Sequence, residues 1–128
     1  MTFLIDSHVA LWWETGDATL NSSAREEIED PSTEVWCSVA SLWELAIKVR
    51  AGKLILDVAI MVERLGEDGF GLLEINAADA IRGGLFNWDH KDPFDRMIAT
   101  QAIRRGWKIV TRDQAITHFL GDSLTIQA

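Results

Sequence analysis

Apolar residues come in short runs along this chain, separated by longer stretches in which they recur at three- and four-residue intervals, a pattern of strands exchanging with helices. TFLID is a short apolar strand ending at Asp6, and HVALWWE predicts a helix that stops near Gly16. NSSAREEIED reads as a second helix, with Asn21 or Ser22 as its cap and Pro31 as its stop. EVWC predicts a strand and SVASLWELAIKVRAG a longer helix, capped by Ser38 and closed at Gly52. The segment from Asp57 to about Glu67 reads as helical, GFGLLEI as a strand, and AADAIRGGL as a helix with Asn76 as its cap. FNWDHK is then a loop. In HKDPFDRMIATQA, Asp92 takes the N-cap position, Pro93 the first helical position and Asp95 the third, and this helix closes at Gly106. WKIVT predicts a strand, residues 114 to 119 a brief helix, and SLTIQ a last strand suited to a sheet edge.

About five strands with helices on both faces make an α/β sandwich, and right-handed crossovers make its sheet mainly parallel. A chain of 128 residues suits one domain, 1–128, with no low-complexity tract, long linker or internal repeat to divide it. Apolar content of 48% with 25% charged residues argues against disorder. The longest apolar runs are far too short to span a bilayer and Met1 leads straight into FLID, so no membrane association and a cytoplasmic location are expected. The single cysteine, Cys37, excludes an internal disulfide and reads as a small buried hydrophobe at a strand end. A net charge of −8 argues against a broad electrostatic grip on nucleic acid. Arg96, Arg104, Arg105, Lys108 and Arg112 nevertheless fall in one late segment, either a local basic surface or a solvated helix face.

In a parallel sheet, ligands bind beyond the carboxyl ends of the strands, which makes acids at those ends informative. Asp6 ends the first strand, Asp113 follows WKIVT, and Asp95 opens a helix entering from the same edge. Asp6 and Asp113 also suit the caps of the helices that follow, and a second carboxylate at Asp95 is more than the cap at Asp92 requires. Capping alone is the poorer account of three acids at one edge. Glu44 is a fourth candidate, at the border of the apolar arc of its helix; an i to i+4 ion pair with Lys48 is the competing reading.

LIDSHVALWW, SVASLWELAIKVRAGKL, HKDPFDRMIATQA and IVTRD, in this order and spacing, resemble the PIN-domain ribonucleases of the VapC toxin type, from about Phe3 to the end of the chain. The resemblance implies a parallel sheet sandwiched by helices. It puts the family's acidic cluster on Asp6, Glu44, Asp95 and Asp113 as catalytic and metal-binding residues, with Ser7 and Thr111 as polar supports beside the capping Asp92. Asp122 lies too far along to replace Asp113. It further implies RNA as substrate, single-stranded or looped and cut to a 5′-phosphate and a 3′-hydroxyl. Homodimerisation and silencing by a cognate antitoxin, laid in a groove near the acidic site, are implied as partners.

Four carboxylates crowded at one edge raise each other's proton affinity unless a cation compensates. Oxygen-only ligands suit Mg²⁺ or Mn²⁺, whereas His8, His90 and His118 show no zinc-type spacing, and surface or packing roles are the commoner ones for such histidines. Arg96 and Arg112, each next to a candidate acid, are the best placed cations for substrate phosphate, with solvated ion pairing as the alternative. Of the six tryptophans, Trp12, Trp43 and Trp107 are expected in the core, and Trp13 and Trp88 nearer a partner surface or substrate rim. Two other functions compete. A phosphoacceptor signalling domain has a similar sheet, with Asp57 as acceptor, but calls for adjacent acids after the first strand and a late Lys-Pro, where this chain has Asp6-Ser7 and no Lys-Pro. An inactive PIN module acting only as a binding partner has no need of all four acids.

Overall fold

Phe3, Leu4 and Ile5 are consecutive and each almost wholly buried, which requires cover on both faces of the strand they form. In the computed structural model, which describes residues 1–128, that strand is β1 (Thr2–Ile5), followed by α1 (Ser7–Thr15), α2 (Ser22–Glu29), β2 (Glu34–Ser38), α3 (Val39–Arg50) and α4 (Val58–Glu67). The second half contributes β3 (Gly71–Leu73), α5 (Ala77–Leu85), α6 (Pro93–Arg105), β4 (Lys108–Thr111), α7 (Gln114–Leu120) and β5 (Thr125–Gln127). The five strands form one sheet in the order β3-β2-β1-β4-β5, and every pairing is parallel. Ile5 lies in register with Cys37 on one side and Val110 on the other.

The two-residue period of a strand sends alternate side chains of β1 to opposite layers. Phe3 and Ile5 pack with Val9, Ala24, Leu45 and Met61, from α1, α2, α3 and α4. Leu4 packs with Ile98, Ala99 and Ala102 of α6 and Ile116 of α7. The small residues of α6 let its backbone come close to the sheet, and α5 stacks on α6 from outside.

The expected elements appear in the expected order, with shifts at their ends. GFGLLEI yields only three residues of strand, and it opens at Gly71 for a steric reason: a Cβ there would lie 2.5 Å from Cε3 of Trp36 on the neighbouring strand. Asn21, rather than Ser22, caps α2, and Asn76 caps α5 in a capping box with Asp79. Trp43 departs from its expected core position: it is 63% exposed, because Leu45 turns inward and a residue two positions away lies about 200° round the helix. Trp12 and Trp107 are half-buried, Trp107 stacked on Trp36 with ring centroids 5.7 Å apart. Trp13 packs against Phe70, and its indole N–H donates to Asp68 at 2.9 Å.

The chain builds outward from β1 through β2 to β3, then returns to place β4 and β5 on the other side. The reversal between β1 and β4 opens a crevice at their carboxyl ends.

Candidate active site

Asp6 stands at that reversal, 4% exposed. Its Oδ1 accepts the Val9 amide at 2.8 Å, capping α1, and its Oδ2 accepts the Thr111 hydroxyl from the end of β4. The same hydroxyl accepts the Asp113 amide at 3.0 Å, so Thr111 ties the two strand ends together. Asp113 caps α7 through Oδ1, which accepts the Ile116 amide at 3.1 Å. Capping and site chemistry are therefore not alternatives: a carboxylate has two oxygens, and the cap of Asp113 engages one of them. Burial raises the proton affinity of Asp6, and the charge of Asp113 raises it further, against hydrogen bonds from Thr111 and Val9 and the nearby His8. A cavity of about 220 Å³ lies over these residues, lined by Asp6, His8, Trp12, Arg112 and Asp113.

Glu44 comes from α3 and is half-buried. Its Oε1 accepts the Ser7 hydroxyl at 2.5 Å, so this glutamate reaches across to the start of α1 instead of along its own helix to Lys48. Ser7 itself is buried, and the contact anchors Glu44 to the residue that follows Asp6.

Asp92 caps α6, its Oδ1 accepting the amides of Phe94 at 2.9 Å and Asp95 at 3.2 Å, with Pro93 at the helix start. Asp95, one turn in, lies 2.6 Å through Oδ2 from His90 Nε2. Its carboxyl is pushed up to about 6, chiefly by burial, against the contact with His90 and with like charge from Asp92 and Asp113 adding to the rise. Asp113 thus opposes the ionisation of both Asp6 and Asp95. His90, Asp92 and Asp95 bring their ligand atoms within 4.8 Å of one another, a group that holds only Asp95 of the four acids expected to bind metal.

His90 is the participant that sequence reasoning set aside in favour of a surface or packing role. Its only sequence signal is its position two residues before Asp92, and its reach to Asp95 depends on how the preceding loop is folded. Its ring lies beside that of Trp88, centroids 4.7 Å apart, and Trp88 stacks on Phe119 at 4.7 Å.

The late basic segment turns largely inward. Arg104 and Arg105 both pair with the fully buried Asp79. Arg96 donates to backbone carbonyls of residues 83 to 90. Arg112 donates to the carbonyls of Ala128 and Thr19 and lies over the Trp12 ring, 5.0 Å from its centroid. Of the two proposed phosphate contacts, Arg112 therefore lines the acidic cavity, while Arg96 faces a loop. Burial beside Asp6 pushes the Cys37 thiol up to about 12, which keeps it protonated and inert. Asp57 caps α4 and does not follow a strand, so the phosphoacceptor reading loses its acceptor.

Comparison with known proteins agrees with this geometry. Ribonuclease VapC22 of Mycobacterium tuberculosis is 32% identical over 119 residues, covering 90% of this chain and 89% of that protein. The structure of VapBC2 from Rickettsia felis, bound to a DNA fragment from its promoter, superposes with a TM-score of 0.71 at 14% identity, covering 99% and 98% of the two chains. DNA-bound VapBC from Salmonella typhimurium gives 0.67 at 19% identity, covering 99% and 97%. These two share the fold, and the model of the PIN domain matches residues 3–119. The chain belongs to the PIN domain family.

Proposed function

We propose that this protein is a metal-dependent endoribonuclease toxin, which hydrolyses RNA phosphodiester bonds and is held inactive by a cognate antitoxin. The observation that carries the reading is that Asp6 and Asp113, tied together by the Thr111 hydroxyl, line one cavity at the sheet reversal, with Asp95 near enough for the charge of Asp113 to oppose its ionisation. Such a group is costly to keep charged without a cation, and its carboxylate donors suit a hard divalent ion, Mg²⁺ or Mn²⁺. Asp6, Glu44, Asp95 and Asp113 would hold it. A bound cation supplies charge to offset that of the phosphate and activates water for attack.

The chain's own residues provide the positioning. Thr111 fixes Asp6, Ser7 fixes Glu44 and His90 fixes Asp95, so three of the four acids are each oriented by a hydrogen bond of 2.6 Å or less. Arg112 at the cavity rim offers the nearest positive charge to a phosphate, and the exposed Trp43, edge-on to Phe94 at 5.2 Å, offers an aromatic face to an unstacked base. The relatives support the toxin reading: one is a ribonuclease, and the structural neighbours include a toxin-antitoxin complex from Klebsiella pneumoniae. An antitoxin partner, a homodimer and a cytoplasmic location go with this reading. No helix is long and apolar enough to cross a membrane.

The test is cleavage of a structured RNA by purified protein with Mg²⁺, beside Asp6→Asn as the control for contaminating nuclease. Fragments with 5′-phosphate and 3′-hydroxyl ends, produced by the native protein and not by Asp6→Asn, are expected. Equal cleavage by both proteins would refute the assignment.

A further inference from the structure

A guanidinium carries five N–H donors in one rigid plane, and in Arg96 all five are directed at backbone oxygen. Nε donates to the carbonyl of Gly83 at 3.2 Å, Nη1 to those of Trp88 and His90, and Nη2 to those of Phe86 at 2.6 Å and Gly84 at 3.4 Å. Every acceptor lies between the end of α5 and His90, so one side chain on the first turn of α6 fixes the path of a segment with no regular structure after Leu85. That segment delivers the His90 imidazole to Asp95, the residue next to Arg96. The stack of Trp88 on Phe119 steadies the loop from the other side. A carboxylate on two free torsions is poorly placed by itself, and small displacements of a reacting group are expensive in rate.

From this geometry we infer that Arg96 is a positioning residue for the Asp95 carboxylate, acting through the 83–90 segment that it clasps and the His90 imidazole at the end of it. The inference rests on reading Asp95 as part of the nuclease centre. It gives Arg96 a task that a lysine cannot perform, because an ammonium has three donors radiating from one point and does not match a planar set of carbonyls.

The experiment is a double-mutant cycle on the full chain with Arg96→Lys, His90→Ala and the double variant, each assayed for kcat and KM on one RNA oligonucleotide with Mn²⁺. Arg96→Lys and His90→Ala are each expected to lower kcat about tenfold or more, with KM changed by less than about twofold. The double variant is expected to be no slower than His90→Ala within about twofold, because Arg96 acts through that imidazole. His90→Gln leaves the Arg96 contacts intact and can present an N–H to Asp95, so it should recover most of the lost kcat even if Arg96→Lys fails to fold. A second readout needs neither metal nor RNA: two-bond proton–nitrogen spectra of the imidazole should show His90 as a single Nε2–H tautomer in the native protein and as a mixture in Arg96→Lys. Equal losses of kcat from Arg96→Lys in both His90 backgrounds, or a folded Arg96→Lys protein with native kcat and native imidazole spectrum, would overturn the inference. If the native protein cleaves no RNA, the nuclease reading fails, while the imidazole spectra still decide the link between Arg96 and His90.

Discussion

Asp95 binds its proton more tightly in the folded protein than in the unfolded chain, because burial opposes its charge and Asp92 and Asp113 repel it. Its contribution to stability is therefore fully present below its ordinary value of 3.8 and is lost as pH rises through about 6. In chelator, the native protein should weaken relative to Asp95→Asn by on the order of 2 to 3 kcal/mol between pH 4 and pH 7. Melting curves over that range check this, and parallel curves for the two proteins would contradict it. Asp95→Asn should also lose cleavage by two orders of magnitude, about 3 kcal/mol in the barrier. Asp92→Ala, by contrast, should cost about 1 kcal/mol of stability through the lost cap. Glu44→Gln separates the two readings of that residue. The amide oxygen still accepts from Ser7, so stability should move by less than about 0.5 kcal/mol while most cleavage is lost; retained cleavage would make Glu44 a bystander. The acids at strand ends were legible in the sequence because the topology alone brings them to one edge. The partners that orient them were not: Ser7 is 37 residues from Glu44, and His90 meets Asp95 through a loop, ending at His90, that Arg96 clasps.

Between elements, the contact of α5 with α6 is governed by Asp79, which lies at the third position of α5 and is met by two arginines from the last turn of α6. Burial works against its charge, but hydrogen bonds from Arg105, the Asn76 amide, Arg104 and Gln101 prevail and hold its carboxyl down to about 2. This stabilisation is present above pH 3.8 and is lost as pH falls through about 2. Urea unfolding should find Asp79→Asn less stable than the native protein by about 2 kcal/mol at pH 7, with the gap closing toward pH 2. A gap independent of pH would show that the carboxylate charge is not what joins the two helices. The elements themselves were legible because caps and apolar periods are local signals: Asn21, Ser38, Asn76 and Asp92 all stand where their helices begin. What the arginines of α6 face was not legible, since a run of positive residues looks the same whether it meets solvent or a buried aspartate. Trp43 illustrates the same limit, an aromatic residue in an apolar helix whose outward direction follows from which neighbours reach the sheet.

For the whole molecule, an acidic chain of net charge −8 acting on a polyanion is a contradiction only if its positive charge must come from side chains. Arg96, Arg104 and Arg105 are engaged inside the fold and Arg112 lines the acidic cavity, so on the proposed reading a cation held by the acids would join Arg112 in meeting the phosphate charge. The parallel sheet makes this arrangement possible by bringing the ends of β1 and β4 side by side at the reversal, with α3 and α6 supplying the other two acids from either layer. The most direct test is the cleavage rate of one RNA by protein stripped with chelator, then supplied with Mg²⁺, Mn²⁺ or nothing. The account predicts no cleavage above the Asp6→Asn background in chelator and restoration by Mg²⁺ or Mn²⁺; undiminished cleavage in excess chelator by the native protein, with Asp6→Asn silent, would contradict it.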